Sequence, residues 1–241
     1  MPPALRFDRV TKSFVHHKGR VLLRDRLIEL LRPARRPRFE ALKDISFELA
    51  PGESMGLVGP NGAGKSTILN LTTGLTLPDR GSITVNGRVA ALLELGAGFH
   101  HDLTGAENIR VNAAMLGLTR RQTEERFGGI VEFSGVREFI NEPIRVYSAG
   151  MIVRLAFSVA IAIDPDVLLI DEVLGLADRD FYARCLEKIR QSQKEGKTIL
   201  LASHSTQLIT MLCQKALWVE KGRIVMLGDA AEVVAAYGAG K

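Results

Sequence analysis

Residues 59–67 read GPNGAGKST, a run of glycines, one lysine and two hydroxyls at a spacing suited to holding a chain of phosphates. Gly59, Gly62 and Gly64, with Pro60, Asn61 and Ala63 between them, let the backbone turn its N–H groups inward around phosphate oxygens. Lys65 adds positive charge at the β- and γ-phosphates, Ser66 offers a hydroxyl to Mg²⁺, and Thr67 closes the string. The helix predicted to follow points its positive end at the same anion.

A second group of residues suits the other half of a phosphoryl-transfer site. VLLIDE (167–172) is an apolar strand ending in two carboxylates. Asp171 is placed to hold Mg²⁺ through water, and Glu172 to polarise an attacking water. His204 follows the apolar run TILLAS (198–203) and so has a comparable place at a strand's carboxyl end, where an imidazole could contact the γ-phosphate and sense its loss. The candidate catalytic residues are thus Glu172, His204 and Lys65. These features do not distinguish a kinase, a GTPase and a transport ATPase.

The elements that must position these groups are read from periodicity and turn chemistry. Strands are predicted over 5–10, 45–49 and 55–59, the last leading into the phosphate loop, and a helix from 65 to about 73. Asn86-Gly87 between two strand-like runs predicts a two-residue hairpin. From 104 to about 142 the pattern turns helical, opened by a Thr104/Glu107 capping box. After Pro143, helices over 149–163, 179–194 and 205–213 alternate with strands over 167–171 and 198–203, and two strands follow over 216–222 and 223–228. Strand-helix alternation around a phosphate loop predicts a largely parallel sheet covered on both faces. The expected fold class is α/β, a P-loop NTPase core with a mixed sheet, an antiparallel β subdomain and a helical subdomain. One domain is expected over 1–241, with a helical subdomain over 104–150 and a basic insertion over 15–40.

Composition supports a globular chain: 46% of the 241 residues are apolar and 24% charged, enough for one sizeable core. The longest apolar run after residue 148 is 155–163, well short of the roughly 18 apolar residues a spanning helix needs. The N-terminus has no apolar signal region, so a cytosolic site of action is expected. Cys185 and Cys213 have no metal-ligand spacing and are expected as reduced thiols. The net charge of +5 is concentrated: residues 16–43 contain His16, His17, Lys18, Lys43 and seven arginines against Asp25, Glu29 and Glu40.

Between the phosphate loop and the Asp-Glu strand lies YSAGM (147–151), at the start of a helical pattern. In this order the three strings resemble the nucleotide-binding subunit of an ATP-binding-cassette transporter, over essentially the whole chain. In that family a short Ser/Gly motif caps a helix and binds the γ-phosphate of ATP held by the phosphate loop of a second subunit. Ser148 and Gly150 fall on its key positions, and Arg154 continues the pattern. GLAD (175–178) stands where the family carries an Asp across the dimer interface. The resemblance implies ATP and Mg²⁺ as ligands and a homodimer that sandwiches two ATPs.

The departures from the family pattern are informative. Ala149 and Met151 replace the usual Gly and Gln, and the lid-loop Gln is missing from LLELGAGFH (92–100), where Glu94 is the nearest polar candidate for ATP and metal contact. With LTGAENI and VRLAF, these forms look like the subfamily exporting capsular polysaccharide, O-antigen or teichoic acid. The resemblance then implies a separate transmembrane permease, a lipid-linked polysaccharide substrate and a place at the cytoplasmic face of the membrane. Some such exporters append a carbohydrate-binding domain, and none is expected after residue 241.

Phe14 matches the family position of the aromatic that stacks on adenine. A long insertion follows it, so His16 and Phe39 are alternatives, as is plain core packing of Phe14. Within the insertion Leu23, Leu27, Leu30 and Leu31 fall at helical spacing among Arg20, Arg24, Arg26 and Arg32, a pattern suited to anionic headgroups, a lipid-linked diphosphate or a solvated face. No nucleic acid partner is expected, because only Phe39 supplies an aromatic there. A soluble cassette ATPase acting on nucleic acid or ribosomes, and a small-molecule kinase, are the rival readings.

Overall fold

The computed structural model describes residues 2–15, 38–93, 96, 98–171 and 178–240. Residues 16–37 of the basic insertion expected over 15–40, with His16, and also Glu94, Glu172 and residues 175–177, lie outside the described residues, whereas residue 15 and residues 38–40 belong to strands that pair with each other rather than to an insertion.

Two sheets form. Strands β1 (Leu5–Val15), β2 (Arg38–Leu49) and β4 (Arg80–Val85) make an antiparallel sheet of order β2-β1-β4. The larger sheet has order β5-β6-β7-β3-β8-β9, from β3 (Ser54–Val58), β5 (Val89–Leu92), β6 (Val167–Ile170), β7 (Thr198–Ala202), β8 (Lys215–Glu220) and β9 (Arg223–Asp229). Its strands are parallel except for the antiparallel β8–β9 pair. Every residue of β3, β6 and β7 is buried, as parallel strands covered on both faces require.

Successive side chains in these strands point to opposite faces. Val167, Leu169, Leu200 and Leu217 join a core shared with helix α1 (Lys65–Thr72) and the antiparallel sheet, where Phe7 and Phe47 stack at 4.7 Å. Leu168, Ile170, Ile199 and Leu201 face the opposite core. That core is completed by α4 (Ala149–Ala162), α5 (Arg179–Lys194), α6 (Thr206–Leu212) and α7 (Ala230–Ala239). A third cluster lies under α2 (Gly105–Met115) and α3 (Arg120–Ser134), around Ile109, Ile130 and Val136. Helix α4 belongs to both neighbours, giving Leu155 and Val159 to this cluster and Phe157 and Ile161 to the sheet. It is therefore the element that ties the helical region to the sheet.

Capping residues set the helix starts. Thr104 accepts from the Glu107 N–H while Glu107 accepts from the Thr104 N–H, the expected box, and Thr119 with Gln122 repeats it at α3. The spans of α1, α4, α5 and α6 agree with expectation to within a residue or so at each end.

Two expectations fail. The Asn86-Gly87 hairpin does not form, because β4 pairs with β1 whereas β5 pairs in parallel with β6. The turn instead carries the chain from one sheet to the other: Asn86 donates to the Ala4 and Pro3 carbonyls, and the Arg88 N–H donates to Asp166. Strands β1 and β2 are longer than predicted, since register shifts and the positive φ of Arg9 (50°) and Asp44 (55°) break the alternation without ending the ladder. Helix α7 is additional to the elements predicted, the last of which ends at residue 228. Its signals are Asp229, which accepts from the Ala231 and Glu232 N–H groups, and buried Val233 and Tyr237 four residues apart, the latter against Trp218 at 5.5 Å. No helix among the described residues is long and apolar enough to cross a membrane.

Candidate nucleotide-binding site

The phosphate loop runs from the buried end of β3 into the first turn of α1, in the middle of the larger sheet. Gly59 and Gly64 are required by space as well as by dihedral angle. A Cβ on Gly59 (φ 148°) would strike the Val219 carbonyl, and one on Gly64 (φ 115°) would sit 2.6 Å from Leu42 Cδ2 and 2.9 Å from the Ala41 oxygen. Lys65 is buried, and its Nζ donates to the Gly59 and Pro60 carbonyls at 2.7 and 3.1 Å. The loop thus curls around its own ammonium group.

Two parallel strands bring the other groups to this loop. β6 ends at Ile170, placing Asp171 at its carboxyl end, where Ser66 Oγ donates to Asp171 Oδ2 at 3.4 Å. Between β6 and β3 lies β7, whose end is followed by Ser203 and His204. A cavity of about 440 Å³ is lined by Asn61–Thr67, Asp171, His204, Phe14 and Phe39. Five separate stretches of sequence therefore converge on one site, at the carboxyl ends of parallel strands where ligands of open α/β sheets sit.

Phe14 is 44% exposed, which overturns plain core packing for it, and Phe39, the alternative aromatic, lines the same cavity. The described residues contain no group of three His, Cys, Asp or Glu able to hold a metal by themselves. The donor set at the loop, one carboxylate and one hydroxyl, fits Mg²⁺, which is commonly held by one or two carboxylates together with substrate phosphates and water.

Ser148 and Gly150 do not line this cavity. Ser148 caps α4, its Oγ accepting from the Met151 N–H at 3.2 Å, and is exposed. The turn before it is held by Tyr147, whose hydroxyl donates to the Phe139 carbonyl and whose acidity burial weakens, its pKa pushed up to about 12. Asp178, the described residue of GLAD, caps α5 by accepting from the Phe181 N–H at 2.9 Å, and its Oδ2 lies 3.8 Å from Arg154 Nη1. That N–H and then the Arg154 charge hold its carboxyl below the ordinary range.

Sequence reasoning missed Asn108. Fully buried in α2, it donates to the carbonyls of His100, Leu103 and Thr104 at 3.0–3.1 Å and accepts from the His100 N–H at 2.7 Å. It so pins the loop leading from the LLELGAGFH string into the helical region. The available signal is an Asn, a weak helix former, inside a capped helix. A larger cavity of about 1210 Å³ between α3, α4 and α5 contains none of the phosphate-loop residues, and its Asp164 is already paired with Lys197 at 2.7 Å.

A sequence profile described as ABC transporter matches residues 42–175. The O-antigen export system ATP-binding protein RfbB of Klebsiella pneumoniae is 45% identical over 244 residues, covering 98% of each chain. The teichoic acids export ATP-binding protein TagH of Bacillus cereus is 40% identical over 235 residues, covering 97% of this chain and 42% of that one. Among solved structures, the dimeric ATP-binding cassette MJ0796 in a post-hydrolysis state with ADP and Pi superposes with a TM-score of 0.75 at 17% identity, covering 94% of this chain and 98% of that one.

Proposed function

We propose, from the premise that this chain belongs to the ABC transporter family and is an ATPase of that family, that it powers export of a lipid-linked polysaccharide through a separate membrane-spanning permease. The observation that carries the reading is the single cavity uniting Lys65, Ser66, Asp171 and His204, in a chain that matches an O-antigen exporter's ATP-binding protein from end to end. O-antigen is the first substrate class, and teichoic acid the alternative, as the TagH likeness suggests.

In this reading the inward N–H groups of residues 59–67 and the Lys65 ammonium, released from the Gly59 and Pro60 carbonyls, bind the β- and γ-phosphates. Ser66 and Asp171 would hold Mg²⁺, which would supply positive charge against the phosphate oxygens. Glu172, next to Asp171 in sequence, accepts a proton from the attacking water, and His204 contacts the γ-phosphate. Glu94 takes the lid-loop role towards ATP and metal. Because Ser148 and Gly150 lie off this cavity, they serve the nucleotide of a second copy, and the working unit is a homodimer. The chain then acts at the cytoplasmic face of the membrane, bound through the permease.

Affinity purification of the tagged chain from detergent-solubilised membranes tests this. The expected result is co-purification of a multi-span membrane protein with MgATP hydrolysis. Recovery with ribosomes or RNA instead would favour the soluble cassette reading.

A further inference from the structure

We infer that Phe39 is a second base-binding residue of the nucleotide site, so that the purine lies between two aromatic rings, Phe14 from β1 and Phe39 from β2. The inference rests on the nucleotide site proposed above and adds a residue and a geometry to it.

Phe14 and Phe39 are direct partners in the antiparallel β1–β2 register. Directly opposed residues project to the same face of a sheet with Cβ atoms roughly 4.5–5.5 Å apart. Both line the cavity that contains the phosphate loop and His204. Phe14 is 44% and Phe39 58% exposed, so the two rings form an apolar patch beside the phosphate loop, of the kind a ligand covers.

The rings are not spent on each other. Among the described residues neither stacks on the other, and the ring neighbour of Phe14 is the Lys12 ammonium, 5.5 Å from its centroid. Lys12 is held beside Phe14 by the Leu77 carbonyl at 2.7 Å and by Asp79 at 3.5 Å. Phe14 is nonetheless 44% exposed, which leaves ring surface for a planar ligand, and Phe39 stands across the strand pair as that ligand's second neighbour. Stacking of this kind tolerates any base, since every base has a π-face. The site accordingly takes ATP and GTP with similar affinity, selecting the triphosphate more than the purine.

Equilibrium binding and steady-state hydrolysis by the purified full chain decide the matter, using ATP, GTP and inorganic tripolyphosphate as a competitor without a base. Phe39→Ala and Phe39→Leu are expected to raise the Kd and KM for ATP roughly tenfold, with kcat within about twofold of the parent. Phe39→Trp should keep tight binding and show fluorescence quenching on adding ATP. Tripolyphosphate inhibition should be the same in all of them. Unchanged ATP affinity in Phe39→Ala and Phe39→Leu would overturn the inference, as would equal weakening of ATP and tripolyphosphate, which marks a general effect on the loop. If Phe39→Ala does not fold, Phe39→Leu and Phe39→Trp decide between the same outcomes. A parent chain that binds tripolyphosphate but not ATP overturns the clamp alone; one that binds neither overturns the nucleotide site as well.

Discussion

The Ser66 hydroxyl donates to the Asp171 carboxylate at 3.4 Å, joining the first turn of α1 to the end of β6 across the mouth of the phosphate loop. The two groups lie 105 residues apart in sequence. In the proposed function, this is where a divalent ion would bridge protein and phosphate. Ser66→Ala and Asp171→Asn should each raise the Mg²⁺ concentration for half-maximal hydrolysis at least about tenfold, with little change in melting temperature, because the 3.4 Å contact is long and exposed. Magnesium titrations of ATPase rate check this.

The proposed service of two different nucleotides by the Lys65 and Ser148 motifs of one chain gives a second prediction. Lys65→Ala disables the phosphate loop, and Ser148→Arg blocks the exposed start of α4. Each variant alone should lose hydrolysis. Mixed, they should regain part of it, since a heterodimer pairs an intact loop from one chain with an intact Ser148 from the other. Were both motifs to serve one nucleotide within a chain, the mixture would stay as inactive as its parts.

Legibility in the sequence follows the range of the interactions involved. The phosphate loop, the strand ending in Asp171, the start of α4 at Ser148 and the box at Thr104 depend on neighbours within a few residues, and these are readable. The Asn86-Gly87 turn misleads because its dipeptide favours a hairpin locally, while long-range pairing gives its two flanks to different sheets. The choice among aromatics is equally illegible, since it depends on Phe14 facing Phe39 across a bulged ladder. Asn108 escapes for a different reason: its partners are near in sequence, but the loop that holds them is non-periodic and gives no pattern that points to it.

Asn108 should prove structural. Asn108→Ala leaves the His100 N–H without its acceptor and takes the side-chain donor from the His100, Leu103 and Thr104 carbonyls, which keep only their backbone donors, and an unsatisfied buried group costs about 1–3 kcal/mol. A loss of at least ~2 kcal/mol in urea unfolding is expected, and Asn108→Asp should not restore it, because a carboxylate cannot donate to carbonyls.

Burial pushes the Cys185 and Cys213 thiols up to about 12. At pH 8 the thiolate fraction of each is then about 10⁻⁴, on the order of a thousandfold below that of an exposed cysteine. Both should resist a disulfide reagent in the native chain and react at once in denaturant. With folded values above the unfolded one, their contribution to stability is complete below about pH 8.5 and declines as pH rises towards 12. Thermal melts at about pH 8 and about pH 10 should show that decline, and Cys213→Ala should flatten it.

Export itself is tested in cells of the source organism lacking this chain, complemented by the parent sequence or by Glu172→Gln, with surface polysaccharide and its lipid-linked precursor measured together. Loss of surface glycan with build-up of the precursor inside is expected, restored by the parent chain and not by Glu172→Gln. Normal surface glycan in the absence of the chain would be incompatible with a role in polysaccharide export.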